Sequence, residues 1–373
     1  MHVLSVYKTY FPDPPGGLQE AIRQICLATS DRGVENTIFT LTPTLNEKKI
    51  SLPEANVIRE KSWLAPASCD LSGFSSFKTY SQLVKQADLI HFFYPWPFAD
   101  LLNLFVDCKK PKVLTYISDI VQQKFLNVAY APLMWHTLKQ MDVIVANCEA
   151  YARTSPILSH PSIRDKVRII PLGIDQSSYP ATQAPIDLEK YQLTQGQPYF
   201  LFIGVHRYYK GLHTLIDASL KCDAKILIAG SGPKTQELIL QAKRLGARNI
   251  EFIGQVSDAE KMALIAGCRA LVLPSHLRSE AYGMVLVEAS MMGKPMITCE
   301  IGTGTSFVNL HGITGLVIPP ESAHDLATAI NLLTQDPRLA NDLGANAKKR
   351  YEQIFSSAVL GQSYSHLYQE LMR

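Results

Sequence analysis

Short runs of β-branched and aromatic residues alternate with stretches of helical apolar spacing along almost the whole chain, and this alternation restricts the fold most tightly. Apolar runs buried on both faces and separated by amphipathic helices are what a parallel sheet covered by helices requires. In the first half the runs are "HVLSVY", "NTIFTLT", "DLIHFFY", "KVLTYIS", "DVIVAN" and "VRIIPLG". Between the first two, "LQEAIRQICLATSDRG" has a helix's apolar period and a glycine stop at Gly33. Residues 43–80 are rich in Ser and Pro without a period, and read as an irregular, variable insertion. The rhythm breaks at residues 175–198, "DQSSYPATQAPIDLEKYQLTQGQP", which suits a polar interdomain linker. A second series follows: "YFLFIGV", "AKILIAG", "NIEFIGQ", "ALVLPS", "PMITCE" and "GLVIPP". A chain of 373 residues exceeds what one hydrophobic core serves. The expectation is therefore α/β: two doubly wound domains facing across a cleft, joined by a hinge.

Composition narrows the class. With 47% hydrophobic and 18% charged residues the chain is neither disordered nor built for a bilayer, and a net charge of +3 is too mild to argue for nucleic acid. The amino terminus reads as a strand entering a Pro/Gly turn rather than as a secretory signal, and no apolar run reaches spanning length, so a cytoplasmic location is expected. Seven widely spaced cysteines without a C-x-x-C pair read as reduced, buried thiols.

Open parallel sheets bind ligands at the carboxyl ends of their strands, so the residues just after each strand carry the chemistry. After the first comes "PPGG", where Gly16 and Gly17 open a helix; paired glycines either make a tight turn or let the backbone approach an anion. After the first strand of the second series, "GVHRYYKGL" sets Gly204, Arg207 and Lys210 in one loop, which reads either as a solvated surface face or, at a strand's carboxyl end, as a guanidinium and an ammonium that together neutralise a diphosphate. "IAGSGP" holds Gly230 and Gly232 but lacks the rest of a dinucleotide fingerprint, which argues against a nicotinamide enzyme. In "GQVSDAEKMALI", Asp258 reads as a helix cap, or alternatively as a carboxylate accepting two guanine N–H groups with the Lys261 stem covering the ring.

The richest stretch is "RSEAYGMVLVEASMMGKP", residues 278–295. Its helix presents the first backbone N–H groups, near Gly283, Met284 and Val285, as an anion site suited to phosphate. Glu280 stands in the loop before them as an acceptor for sugar hydroxyls, and Glu288, inside the apolar helix, as an acceptor for both hydroxyls of a ribose.

"RSEAYGMVLVE" resembles the E-x7-E element of the retaining glycosyltransferases of family 4, which have the GT-B fold: two Rossmann-like domains, with a carboxyl-terminal helix crossing back onto the first. "PPGG", "IPLGID", "FIGVHRYYKGL", "IAGSGP", "FIGQV" and "GLVIPP" follow in the family's order, so the resemblance spans nearly the whole chain. It implies domains at 1–178, with the helix at 356–373, and at 179–355. It also implies a nucleotide-sugar donor in the second domain, an acceptor on the first, retention at the anomeric carbon and neither metal nor cofactor; the chain contains no D-x-D or H-E-x-x-H.

By matching position the resemblance assigns Gly17 to phosphate and sugar, Arg207 and Lys210 to the diphosphate, Glu280 to the transferred sugar, the backbone of Tyr282 to Val285 to phosphate and sugar, and Glu288 to the ribose. "VSDAEK" is similar to the base loop of GDP-mannose-using mannosyltransferases, which implies base contacts at Val256, Asp258 and Lys261. "TYISDIVQQK" and "CEIGTGTSFVNLHG" look like O-antigen mannosyltransferases acting on lipid-linked saccharides, so peripheral membrane association at the inner face is a further expectation. One position departs: similar enzymes have "TYHSD", with a histidine on the donor sugar, where this chain has Ile117.

No well-placed carboxylate nucleophile is apparent, which favours a same-face displacement over a covalent intermediate; Asp119 is the candidate in the first domain if one forms. The "YPWPFADLL" loop, Pro95 to Leu102, offers apolar surface to the acceptor or packs in the core. UDP- or ADP-sugar transfer, a GT-B-like epimerase and a silent binding subunit remain the alternatives.

Overall fold

The computed structural model describes residues 1–13, 16–64, 70–117, 124–180 and 189–373. Two compact units emerge, Met1–Ile174 with Ser357–Arg373, and Asp175–Ser356. The boundary expected after residue 178 falls earlier. Asp175 caps the short turn Gln176–Ser178, and Gln176 accepts a hydrogen bond from Lys348 at 3.3 Å, which ties these residues to the second unit. The expected free linker is likewise partly packed: Tyr191 and Leu193 are buried, and the Tyr191 hydroxyl donates to Glu260 at 3.3 Å.

The strands of the first unit are β1 (His2–Val6), β2 (Glu35–Thr42), β3 (Lys49–Ser51), β4 (Asn56–Lys61), β5 (Leu89–Tyr94), β6 (Lys112–Tyr116), β7 (Val143–Ala146) and β8 (Val167–Ile169). They form one sheet in the order β3-β4-β2-β1-β5-β6-β7-β8, parallel apart from the β3–β4 pair. The stretch read as an irregular insertion thus supplies two strands and most of the helix Phe74–Gln86. Its period was hidden because β4 buries charge: Arg59 pairs with Asp13 at 2.9 Å, and Glu60 accepts from Thr79 at 2.6 Å and Ser75 at 3.2 Å. Buried charges persist only with such partners.

The closing helix, Ser357–Leu371, belongs to this first unit. A side chain at Gly361 would lie 2.2 Å from the carbonyl oxygen of Ala28, so that glycine permits close contact with the helix Gly17–Ser30. Tyr368 and Tyr364, both buried, reach into the sheet: the Tyr368 hydroxyl meets His91 Nδ1 at 2.8 Å, and the Tyr364 hydroxyl meets Thr115 Oγ1 at 2.9 Å.

The second unit holds β9 (Tyr199–Ile203), β10 (Lys225–Ala229), β11 (Ile250–Gly254), β12 (Ala270–Leu273), β13 (Met296–Cys299) and β14 (Gly315–Ile318). Their order is β11-β10-β9-β12-β13-β14, and every pairing is parallel. Phe200, Leu201 and Phe202 of β9 are wholly buried, each contributing about 1.5–3 kcal/mol of apolar burial.

Both sheets reverse their order beside their first strand. From β1 the chain winds outward through β2 and returns to β5 on the other side, and from β9 it winds through β10 and β11 and returns to β12. At such a switch point the loops leaving adjacent strands diverge to opposite faces, which opens a crevice at their carboxyl ends. Gly16 and Gly17 follow β1; the loops bearing Lys210 and Glu280 follow β9 and β12.

Candidate active site

The switch point of the second sheet brings Lys210 and Glu280 together from seventy positions apart. Lys210 ends a short 3-10 turn, Tyr208–Lys210, and Gly211 then takes the left-handed conformation that starts the helix Leu212–Ser219. The Lys210 ammonium donates to the Glu280 carboxylate, which also accepts from Ser275 Oγ at 3.1 Å. The two charged side chains are 11% and 9% exposed, so this is a buried, hydrogen-bonded ion pair. Burial alone lowers the lysine pKa, but the Glu280 charge with Tyr209 outweighs it, and the ammonium is held above the ordinary lysine range. Lys210 is therefore paired rather than a free cation. Arg207 stands exposed at the start of the same turn, with no ion pair among the described residues.

Two of the three glycines of this region permit close backbone packing. Gly230 has φ +108°, and a side chain there would sit 2.2 Å from the carbonyl oxygen of Gly204; one at Gly232 would sit 2.7 Å from the backbone of His206. Missing side chains let the loops after β9 and β10 lie backbone to backbone, with Gly204 N–H donating to Ala229 at 3.2 Å and His206 N–H to Ser231 at 3.1 Å. Close backbone packing thus requires glycine at positions 230 and 232, while a side chain at Gly204, φ +156°, would come no closer than 3.5 Å to Phe202.

The other glutamate lies on the helix Met284–Met291, which starts from Gly283 at φ +83°. A side chain at Gly283 would come within 2.9 Å of Leu273, so the left-handed turn and the tight fit both select glycine. Tyr282 is buried, Met284 and Val285 are half-buried, and the first N–H groups of this helix lack intrahelical acceptors by construction. Glu288 is buried on the next turn. Its Oε1 accepts from the Tyr179 hydroxyl and from Lys261 Nζ, each at 3.0 Å. Lys261 also pairs with Asp258 at 3.1 Å, and its ammonium stands 5.1 Å from the Tyr179 ring centroid. Burial lowers the Lys261 pKa, but the charges of Glu288 and Asp258 outweigh it, for a net rise. Each glutamate of the E-x7-E element thus has its own lysine.

Asp258 is not the helix cap. Ser257 is: its side chain accepts from Glu260 N–H while Glu260 reaches back to Ser257 N–H, a complete capping box. Asp258 is the first helical residue, with its side chain 74% exposed. It is thereby freed of the capping role, and its carboxylate pairs with Lys261 at 3.1 Å. Val256 sits half-buried in the loop just before.

In the first unit Gly16 is the N-cap of the helix Gly17–Ser30, in extended backbone and without a side-chain cap. Ile117 follows β6, its N–H donating to Tyr94 at 3.1 Å. Asp119 lies outside the described residues. The "YPWPFADLL" loop does not offer its aromatics as surface: Trp96 and Phe98 are 1% and 2% exposed, and the Trp96 indole donates to Asp70 at 3.0 Å. Among the described residues no helix is long and apolar enough to cross a membrane.

Two participants escaped the sequence reading. Tyr179, at the edge of the supposed linker, holds Glu288; Ser275, the last residue of a strand-like run, holds Glu280. Neither has a motif of its own, because its role follows from where the chain returns.

Comparison with known proteins agrees with this arrangement. Residues 15–178 match the model of Glycosyltransferase Family 4, and residues 184–350 that of Glycosyl transferases group 1. The chain is 42% identical over 359 residues, 96% of its length and 93% of the relative's, to the D-rhamnosyltransferase WbpZ of Pseudomonas aeruginosa. It is 37% identical over 372 residues, 100% of its length and 99% of the relative's, to the O-antigen chain mannosyltransferase C of Escherichia coli. Among solved structures, sucrose-phosphate synthase from Thermosynechococcus elongatus superposes with a TM-score of 0.79 at 22% identity, covering 99% of this chain and 98% of that one. With two Rossmann-like units, the GT-B fold and relatives that match from end to end, the chain belongs to glycosyltransferase family 4.

Proposed function

We propose that this glycosyltransferase moves mannose from GDP-mannose, with retention, to a lipid-linked saccharide in O-antigen synthesis. The observation that carries the reading is the meeting of Lys210 and Glu280 at the switch point of the second sheet, with exposed Arg207 on the same turn. A nucleoside diphosphate leaves as the C1–O bond breaks, and positive charge must already stand where the negative charge develops. Arg207, Lys210 and the amino terminus of the helix Met284–Met291 supply it. Glu280 is the acceptor for sugar hydroxyls and Glu288 for the ribose, with Gly16, Gly17 and Tyr282 to Val285 as backbone contacts. Val256, Asp258 and Lys261 take the base; an exposed Asp258 freed from capping supports guanine.

The leaving phosphate oxygen takes the acceptor's proton in a same-face displacement, with Asp119 the residue to examine if a covalent intermediate is trapped. No metal or cofactor enters this scheme. The reaction is placed in the cytoplasm, with the protein peripheral at the inner membrane face where a lipid-linked acceptor lies. Both curated relatives carry deoxyhexose or hexose transfer in their names, which supports the sugar class.

A second donor is favoured by Ile117. Where similar enzymes place a histidine on the donor sugar, isoleucine donates no hydrogen bond and presents an apolar surface. D-rhamnose is D-mannose with one hydroxymethyl group reduced to methyl, and the relative at 42% identity is named a D-rhamnosyltransferase. Calorimetric titration with GDP-mannose, GDP-D-rhamnose, UDP-glucose and ADP-glucose, followed by product analysis with and without acceptor, tests both readings. Selective GDP-sugar binding and acceptor-dependent transfer are expected. Preference for UDP or ADP would overturn the base reading, and a new nucleotide sugar formed without acceptor would make the protein an epimerase.

A further inference from the structure

We propose that His213, His276 and Glu321 form a binding site for a zinc-class divalent cation, which clamps three segments of the second unit together. His213 lies in the first turn of the helix Leu212–Ser219, His276 in the loop after β12, and Glu321 in the turn before the helix Ala323–Gln335. One ligand atom from each lies within 4.8 Å of the other two. His276 Nε2 stands 3.9 Å from Glu321 Oε1, and the two imidazoles meet at right angles with centroids 5.1 Å apart.

The observation that asks for a ligand is His276 itself. It is 7% exposed, yet neither ring nitrogen has a hydrogen-bond partner. Burying both without partners is unfavourable, and an ion would satisfy the nitrogen that faces Glu321. The remaining surroundings hold the ligands in place. His276 N–H donates to the Tyr209 carbonyl at 3.0 Å, and the Tyr208 ring stacks on His213 at 5.3 Å and meets His276 edge-on at 4.8 Å.

Tetrahedral zinc with bonds of about 2.0–2.1 Å sets its ligand atoms about 3.3 Å apart. The ligand atoms now lie within 4.8 Å of one another, and Glu321 is exposed and His213 half-buried, which leaves both side chains room to turn toward that spacing. Two imidazoles and one carboxylate select zinc, cobalt or nickel over magnesium and calcium, and leave a fourth position for water. The ion would touch none of the groups assigned to the donor. It would instead anchor the roots of both donor loops: Gly211 follows Lys210, and His276 adjoins Ser275, the hydrogen-bond donor to Glu280.

The inference is independent of the glycosyl-transfer reading, and its test reads metal rather than activity. The full chain, stripped with chelator, is titrated calorimetrically with zinc chloride and, in parallel, with cobalt chloride followed by visible absorption. One ion per chain, a melting temperature that rises with zinc, and the intense visible bands of four-coordinate cobalt are expected. His213→Ala, at a half-buried position, and Glu321→Gln, at an exposed one, should each weaken binding at least about tenfold. Wild type and both variants binding zinc alike would overturn the proposal by placing the ion on other histidines; no stoichiometric binding would overturn it outright. Neither result bears on donor binding, which the nucleotide-sugar titration reads separately.

Discussion

Removing Lys210 should expose how much of the second unit's stability rests on the donor-loop ion pair. In Lys210→Met the methylene stem is kept and the ammonium is lost, leaving the Glu280 carboxylate, 9% exposed, with Ser275 as its remaining described hydrogen-bond donor. Breaking a buried pair from one side costs about 3–5 kcal/mol, because an uncompensated charge stays behind. For a unit the size of Asp175–Ser356, at about 2–4 °C per kcal/mol, the melting temperature should fall by roughly 6–20 °C. Glu280→Gln added to Lys210→Met removes that stranded charge, and the double variant should recover most of the loss while remaining inactive. Urea unfolding of wild type, both single variants and the double variant closes a cycle whose coupling term should exceed the loss that the second substitution recovers. A Lys210→Met cost of about 0.5 kcal/mol, typical of a solvated surface pair, would refute the view that the pair is buried and structurally committed. At neutral pH the pair is intact: its raised lysine pKa means this stability is complete below the unfolded lysine value and lost only as pH rises through the folded one.

Three other variants probe separate links. Arg207→Ala, at an exposed residue, should lower kcat/KM by about 10²–10³ with an unchanged melting temperature; a parallel loss of stability would make it structural. Asp258→Ala should weaken GDP about tenfold, worth about 1.4 kcal/mol, and leave UDP unaffected, with almost no change in folding because Ser257 holds the cap; equal effects on both nucleotides, measured by titration, would remove guanine recognition from this residue. Burial drives the His91 pKa down to about 3, so between that value and the ordinary 6.5 the unfolded chain binds a proton that the folded one refuses. First-unit stability should accordingly fall on acidification across this window by about 1.4 kcal/mol per pH unit relative to His91→Gln, and parallel pH profiles would refute it.

The alternation of strand and helix periods was enough to establish two α/β units, because sheets buried on both faces need near-continuous apolar runs and those runs are visible one residue at a time. The E-x7-E spacing and the "HRYYKGL" loop singled out Lys210, Glu280 and Glu288 as candidates for a similar reason: each stretch is contiguous, and each follows a strand end. What the linear chain concealed were the places where burial is polar or where contacts are distant. Strand β4 was missed because Arg59 and Glu60 interrupt its pattern and are satisfied by Asp13, Thr79 and Ser75 from elsewhere. The sequence left Trp96 and Phe98 as either acceptor surface or core, and only packing shows them in the core. Composition and local period thus determine which elements form. The partners of Lys210, Lys261, Glu280 and Glu288, the capping role of Ser257, and the His213–His276–Glu321 cluster were decided by tertiary structure, since the order of strands in a sheet sets which loops converge.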